Sequence, residues 1–184
     1  MATSFPLDAL PASSRLWIYA LDRPLAPAEA DALQSRLDAF VANWQSHGRK
    51  VTAGHDLVHG RFVLIAGVIP GGDISGCGID ASVHALTECG DRLGFGVTNG
   101  LDLFFRDEQG AITHLPRAAF RKQARAGAIT GNTVVFDTSL TNLHDYRTGL
   151  FEVPAHASWH GTVFKIPAFN IPASPNAADA SRPA

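Results

Sequence analysis

The spacing of apolar residues changes period several times along the chain, and each change marks an element. Arg15-Leu-Trp-Ile-Tyr-Ala-Leu21 is aromatic and β-branched, which predicts a strand buried on at least one face. Pro27 then opens a helical period, with Glu29 and Asp31 in the first turn and Leu33, Leu37, Phe40, Val41 and Trp44 along one face; Gly48 is the expected stop. Residues 49–58 and 61–68 read as two extended segments joined at His59-Gly60, a hairpin signal. After the glycine-rich stretch Gly71–Gly78, Asp80 is placed to cap a second helix that carries Val83, Leu86, Cys89 and Leu93 inward and stops at Gly94. Leu101-Asp-Leu-Phe-Phe105 reads as a fourth strand.

Strand, helix, strand, strand, helix, strand is the split βαβ order, so the expected fold class is α+β with a ferredoxin-like (βαββαβ) core. The rest predicts a C-terminal helix and strand extension: a hairpin-like piece ending near Ile112, a helix from Pro116 to Gly127, a strand at 133–136 and a helical stretch at 139–147. A four-stranded antiparallel sheet leaves one face open, and the extension is expected to cover that face or pair with an edge strand. Residues 1–170 are expected to form a single domain. The stretch 171–184 is small, polar and proline-rich and predicts a disordered tail.

Composition narrows the class. The chain has 184 residues, 46% of them hydrophobic and 17% charged, with 15 basic and 17 acidic side chains and a net charge of -2. That supports a self-sufficient core and argues against a wholesale nucleic-acid binder. Two cysteines, Cys77 and Cys89, exclude a disulfide scaffold and favour a reducing compartment. The first eleven residues lack the basic and apolar regions of a secretory signal, and no apolar run approaches a membrane span. A cytoplasmic location is the expectation.

Candidate chemistry concentrates at Gly71–His84. Four glycines in eight positions run into a helix start, where free N–H groups carry partial positive charge and favour an anion or a thiolate. Ser75, Gly76 and Gly78 are the candidate ligand-binding positions. Cys77 is a candidate nucleophile, with His84 as base and Asp80 as the orienting group. The plainer reading makes Cys77 a small hydrophobe in a tight turn. A P-loop is excluded, because no Gly-Lys-Ser/Thr occurs and lysine stands only at 50, 122 and 165.

Eight histidines raise the question of a metal, with Cys77, His84, His47, His55 and His59 as the conceivable ligands, but no H-E-x-x-H, C-x-x-C or H-x-H spacing is present. His156 and His160 lie four apart beside Trp159, and two histidines do not define a site. No metal or cofactor is expected. Arg117, Arg121 and Arg125 recur every four residues with Lys122 beside them and no acid between 115 and 130, a basic stripe that suits phosphate, nucleic acid or an acidic partner. A solvated helix face is the plainer alternative.

Ser75-Gly-Cys-Gly-Ile-Asp-Ala-Ser-Val83, together with Trp17-Ile-Tyr19, Trp44-Gln-Ser-His-Gly48, Gly127-Ala-Ile-Thr-Gly131, Val153-Pro154 and Ser158-Trp159, resembles an uncharacterised bacterial family of small single-domain proteins. Its members are often automatically labelled ATP-binding cassette transporter ATPases. The resemblance spans roughly residues 12 to 165 and implies a family without an activity; the missing Walker A lysine argues against an ATPase. Gly78 stands where many relatives are expected to carry a serine.

The leading functional expectation is a cytosolic domain that binds a small anion or a protein partner, with its centre at 75–84. The competing class is a thiol-dependent or acid/base enzyme using Cys77 and His84. A third is an assembly role, as a homo-oligomer, through an exposed sheet edge.

Overall fold

The computed structural model describes residues 5–168. The expected tail at 171–184 lies outside them. In chain order the elements are β1 (Arg15–Ala20), α1 (Pro27–Asn43), β2 (Gln45–Ser46), β3 (Arg49–Lys50), β4 (Thr52–Val58), β5 (Phe62–Val68), α2 (Gly76–Leu93), β6 (Asp102–Arg106), β7 (Ile112–Pro116), α3 (Arg117–Arg125), β8 (Val134–Phe136), α4 (Leu143–Arg147), β9 (Glu152–Pro154) and α5 (Trp159–Phe164). The fold is mixed α+β, and it divides into two compact units: Met1–Asp102 with Phe136–Glu152, and Leu103–Val135 with the chain from Val153 onward. Among the described residues, no helix is long and apolar enough to cross a membrane.

In the first unit, β1, β5 and β4 form an antiparallel sheet in that order, with Ile18 opposite Leu64 and Asp56 opposite Leu64 on the other side. The central strand β5 is apolar almost throughout because both of its faces are covered. One face carries Val63 and Ile65 into a core with Leu33, Leu37 and Val41 of α1 and with Leu86 and Cys89 of α2. The other face carries Phe62, whose ring stacks on Phe136 at 4.9 Å and meets Phe151 edge-on at 5.2 Å. That is the covering expected of the C-terminal chain. Thr141 and Leu143 also pair alongside the start of β1.

The hairpin is as expected: His59 and Gly60 both take positive φ, 53° and 61°, and the Arg61 N–H closes the turn onto the Val58 carbonyl. The first helix stops earlier than Gly48. It ends at Asn43, and residues 45–50 make a short hairpin, with His47 and Gly48 at positive φ. Trp44 leaves the helix yet is only 2% exposed, because it turns under β5, where a Cβ on Gly67 would come within 2.9 Å of its ring.

The expected fourth strand is a correction. Leu101 is 69% exposed, and the strand that begins at Asp102 joins a separate four-stranded sheet of order β7-β6-β8-β9. Leu103 and Phe105 find their apolar partners in Phe120, Val135, Ala155 and Phe164 of the second unit. Beside β1 lies instead a short stretch in which Leu21 bridges Val97 and the Thr98 N–H reaches the Ala20 carbonyl. The helix expected at 139–147 is confined to α4, capped by Asn142, and neither β9 nor α5 was expected.

In the second unit, a loop at 107–111 folds around Asp107, whose Oδ1 accepts the N–H groups of Gln109 and Ala111. Pro116 sets up α3 and Gly127, at φ 76°, ends it, as the sequence predicts. This helix is strongly two-faced: Phe120 is fully buried while the arginines are exposed. A residue larger than glycine at 131 would meet the Pro167 carbonyl, since a Cβ there would lie 2.3 Å from it.

Candidate functional site

The glycine-rich loop closes on itself. Helix α2 starts at Gly76, five residues before the start expected from Asp80. Ser75 is the cap: its Oγ accepts the Gly78 N–H at 3.4 Å, its own N–H donates to Ser46 Oγ at 2.9 Å, and the two hydroxyls are 2.9 Å apart. Asp80 therefore does not cap the helix; it sits exposed in the second turn. Gly78 faces inward. A Cβ on it would lie 3.0 Å from Ile74, and its carbonyl accepts the buried Trp44 Nε1–H at 2.9 Å. Gly76 is exposed and has open space around it.

The residues proposed for catalysis share an exposed face without meeting. Cys77 lies in the first turn and His84 two turns on, a helical rise of about 10 Å for seven residues. Among the described residues, no hydrogen bond joins Cys77, Asp80 and His84. Acid guards the loop as well: Asp73 accepts from Arg15 at 3.0 Å and from the Ile74 N–H at 2.8 Å, and the Arg15 guanidinium holds its carboxyl below the usual range. The inner face of α2 is also spoken for, since the Tyr19 hydroxyl donates to Ser82 Oγ at 2.7 Å, which in turn donates to the Ile79 carbonyl. Burial raises the Tyr19 pKa, so the phenol keeps its proton there. Val83, expected inward, is 41% exposed, because the buried stripe runs through Ser82, Ala85, Leu86 and Cys89.

The basic stripe forms and gains a setting. Arg117, Arg121 and Arg125 all lie on the exposed side of α3, and Phe164 of α5 packs beneath the first two. The Arg117 guanidinium stands 5.4 Å from the Phe164 ring and 6.0 Å from Trp159, and that of Arg121 stands 5.7 Å from Phe164. Stacking of this kind fixes the guanidinium plane while leaving its N–H edge free to bond.

Between α3 and α5 lies a cleft of about 520 Å³. Arg121, Arg125 and Lys165 bring positive charge to it, Ile129, Val163 and Phe164 line it with apolar surface, and Thr130 adds a hydroxyl. No acid lines it. Among the described residues, no carboxylate lies within ion-pair distance of Arg117, Arg121, Lys122, Arg125 or Lys165. The first unit differs, since Arg15, Arg23, Arg36 and Arg92 there each hold a carboxylate.

Sequence reasoning found the three arginines and missed Lys165 and Phe164, which only the packing of α5 brings to them. Ser158 was the available signal: it caps α5, its Oγ accepting the His160 N–H at 3.2 Å. The histidines stay apart in their roles. His55 Nε2 pairs with Asp38 at 3.0 Å, His59 with Glu152 at 2.7 Å, and His156 Nδ1 with the Gly131 carbonyl at 2.8 Å. Among the described residues, no three His, Cys, Asp or Glu side chains are grouped to hold a metal ion. No family model matches the chain, and no curated protein or solved structure matches it either.

Proposed function

We propose that the protein is a cytosolic binder of a small multiply charged anion, with its centre at the cleft between α3 and α5. The observation that carries this reading is the group of cations at the cleft with no carboxylate beside them among the described residues. Like charges held together repel one another, and an anion relieves that repulsion while meeting donors already fixed in place. The volume suits a small molecule, since ligand clefts run to roughly 300–1,000 Å³. Calorimetric titration with pyrophosphate tests it. Arg125→Glu is expected to weaken binding about tenfold or more, a loss of the size expected for a charge-assisted contact. An intact protein that ignores pyrophosphate, or a variant that binds it equally well, rejects the reading.

A second reading keeps a centre at Ser75–His84, as a reactive thiol or a partner contact. It is favoured by the exposure of Cys77 in the first turn of an 18-residue helix. Cys89 is buried, and burial raises its pKa. Iodoacetamide at neutral pH is therefore expected to label Cys77 in the native protein and to reach Cys89 only on unfolding. Peptide mass mapping decides it, and a native Cys77 that resists the reagent removes the thiol reading. For the first unit we also propose a ferredoxin-like ancestry, supported by the β1-β5-β4 order of its strands and by the Leu21–Val97 bridge where a fourth strand would lie.

A further inference from the structure

Lys165 occupies a backbone position that favours glycine. It closes α5 at φ 56° and ψ 44°, with its N–H on the Gly161 and Thr162 carbonyls. A lysine gains nothing from that conformation, and a glycine adopts it at no steric cost. A side chain kept at such a place points to a task for its charge, and the inference runs from the outlier to the function. The usual local task would be a hydrogen bond from the ammonium to the last helical carbonyls. No such bond is made to a described residue. Lys165 at this left-handed turn instead lines the cleft that Arg121 and Arg125 also line.

The lining specifies more than a negative charge. Two guanidinium forks and an ammonium match a dianion carrying three terminal oxygens better than a single carboxylate, because each cation then finds its own acceptor. Ile129, Val163 and Phe164 supply apolar surface beside those cations, which inorganic phosphate alone would leave wet.

We infer that the cleft takes a phosphate monoester with an apolar or aryl body, and that Lys165, at its left-handed turn, is a phosphate-binding residue. This rests on the proposed anion-binding reading and names its ligand class. Calorimetry on the full chain with phenyl phosphate, inorganic phosphate and pyrophosphate tests it, alongside Lys165→Gly and Lys165→Asn. Both replacements tolerate the left-handed backbone, and asparagine also limits the added freedom of glycine.

Phenyl phosphate is expected to bind at least fivefold more tightly than inorganic phosphate. Each variant is expected to lose about tenfold in phenyl phosphate affinity while its thermal midpoint stays level or rises. Equal binding by the variants overturns the role of Lys165, and equal affinity for the two phosphates overturns the apolar body. A protein that binds pyrophosphate and fails only these comparisons leaves the anion-binding function standing, whereas one that binds none of the three loses that function as well.

Discussion

Trp44 is held from several directions at once. Its Nε1–H donates to the Gly78 carbonyl at 2.9 Å, its ring meets Trp17 edge-on at 5.7 Å, and Phe40 tilts against it at 5.2 Å. It thereby connects the end of α1, the sheet and the first turn of α2, and its ring, together with Val51, leaves Gly67 little room for a side chain. Trp44→Phe keeps most of the apolar contact but removes the donor that the Gly78 carbonyl gains beyond the bonds of its own helix. A loss of about 0.5–1.5 kcal/mol is expected from denaturant unfolding, the range for one net hydrogen bond. A loss below about 0.5 kcal/mol would mean that the hydrogen bond contributes little.

Among the elements, α1 and α2 share one guanidinium. Arg23 grips both oxygens of Glu29 at 2.8 Å in the first turn of α1 and also donates to the Leu93 and Gly94 carbonyls at the end of α2. The acid thus lies at a positive helix end and the cation at a negative one. Glu29 also accepts the Ala26 N–H at 2.8 Å. With Arg23 as the main cause and that N–H next, its carboxyl falls from 4.5 to about 2. A depressed folded value means stability present above 4.5 and lost as pH falls towards 2. Glu29→Gln is expected to flatten the thermal midpoint between those limits, with the two proteins converging at the acid end. Parallel acid limbs would exclude Glu29 as a contributor.

The same elements show how far sequence carries. The β1, β4–β5 and α3 segments were legible because a local rule governs each: β-branched and aromatic alternation, paired positive-φ turn residues, and Pro116 before a charged stripe. The start of α2 was not, since Ser75 and Asp80 are equally good caps in isolation and the hydroxyl of Ser46, 29 residues away, favours the first. The pairing of β6 was equally hidden. Its apolar side chains suit either sheet, and the choice depends on Phe120 and Phe164, which lie further along the chain. The cleft was half visible for a similar reason. A four-residue repeat announces the arginines, whereas the left-handed backbone at Lys165 has no signature in Phe-Lys-Ile.

For the whole molecule, the first unit is discontinuous in sequence. Its sheet lies within Met1–Asp102, but Phe136, Leu143 and Phe151, which complete its second face, come from a return of the chain. The segment 136–152 is also tied to the N-terminal lead-in, since Arg147 Nη2 donates to the carbonyls of Leu7 and Leu10. A fragment of residues 1–102 therefore contains every strand of that sheet and lacks its cover. It is expected to show helical and sheet circular dichroism without a cooperative melt and to bind a hydrophobic dye. A fragment that melts as sharply as the full chain would show the cover to be dispensable.

That stacked pair of phenylalanines also sets a clock on synthesis. Phe62 leaves the ribosome 74 residues ahead of Phe136, its stacking partner, which at roughly 5–20 residues per second is an interval of about 4–15 s. Throughout it, the Phe62 end of a sheet whose strands are already complete lacks the ring that stacks on it. A nascent-chain chaperone has its strongest grip in that window, and ribosome pausing between β5 and α4 would lengthen the period in which two such chains can find each other first.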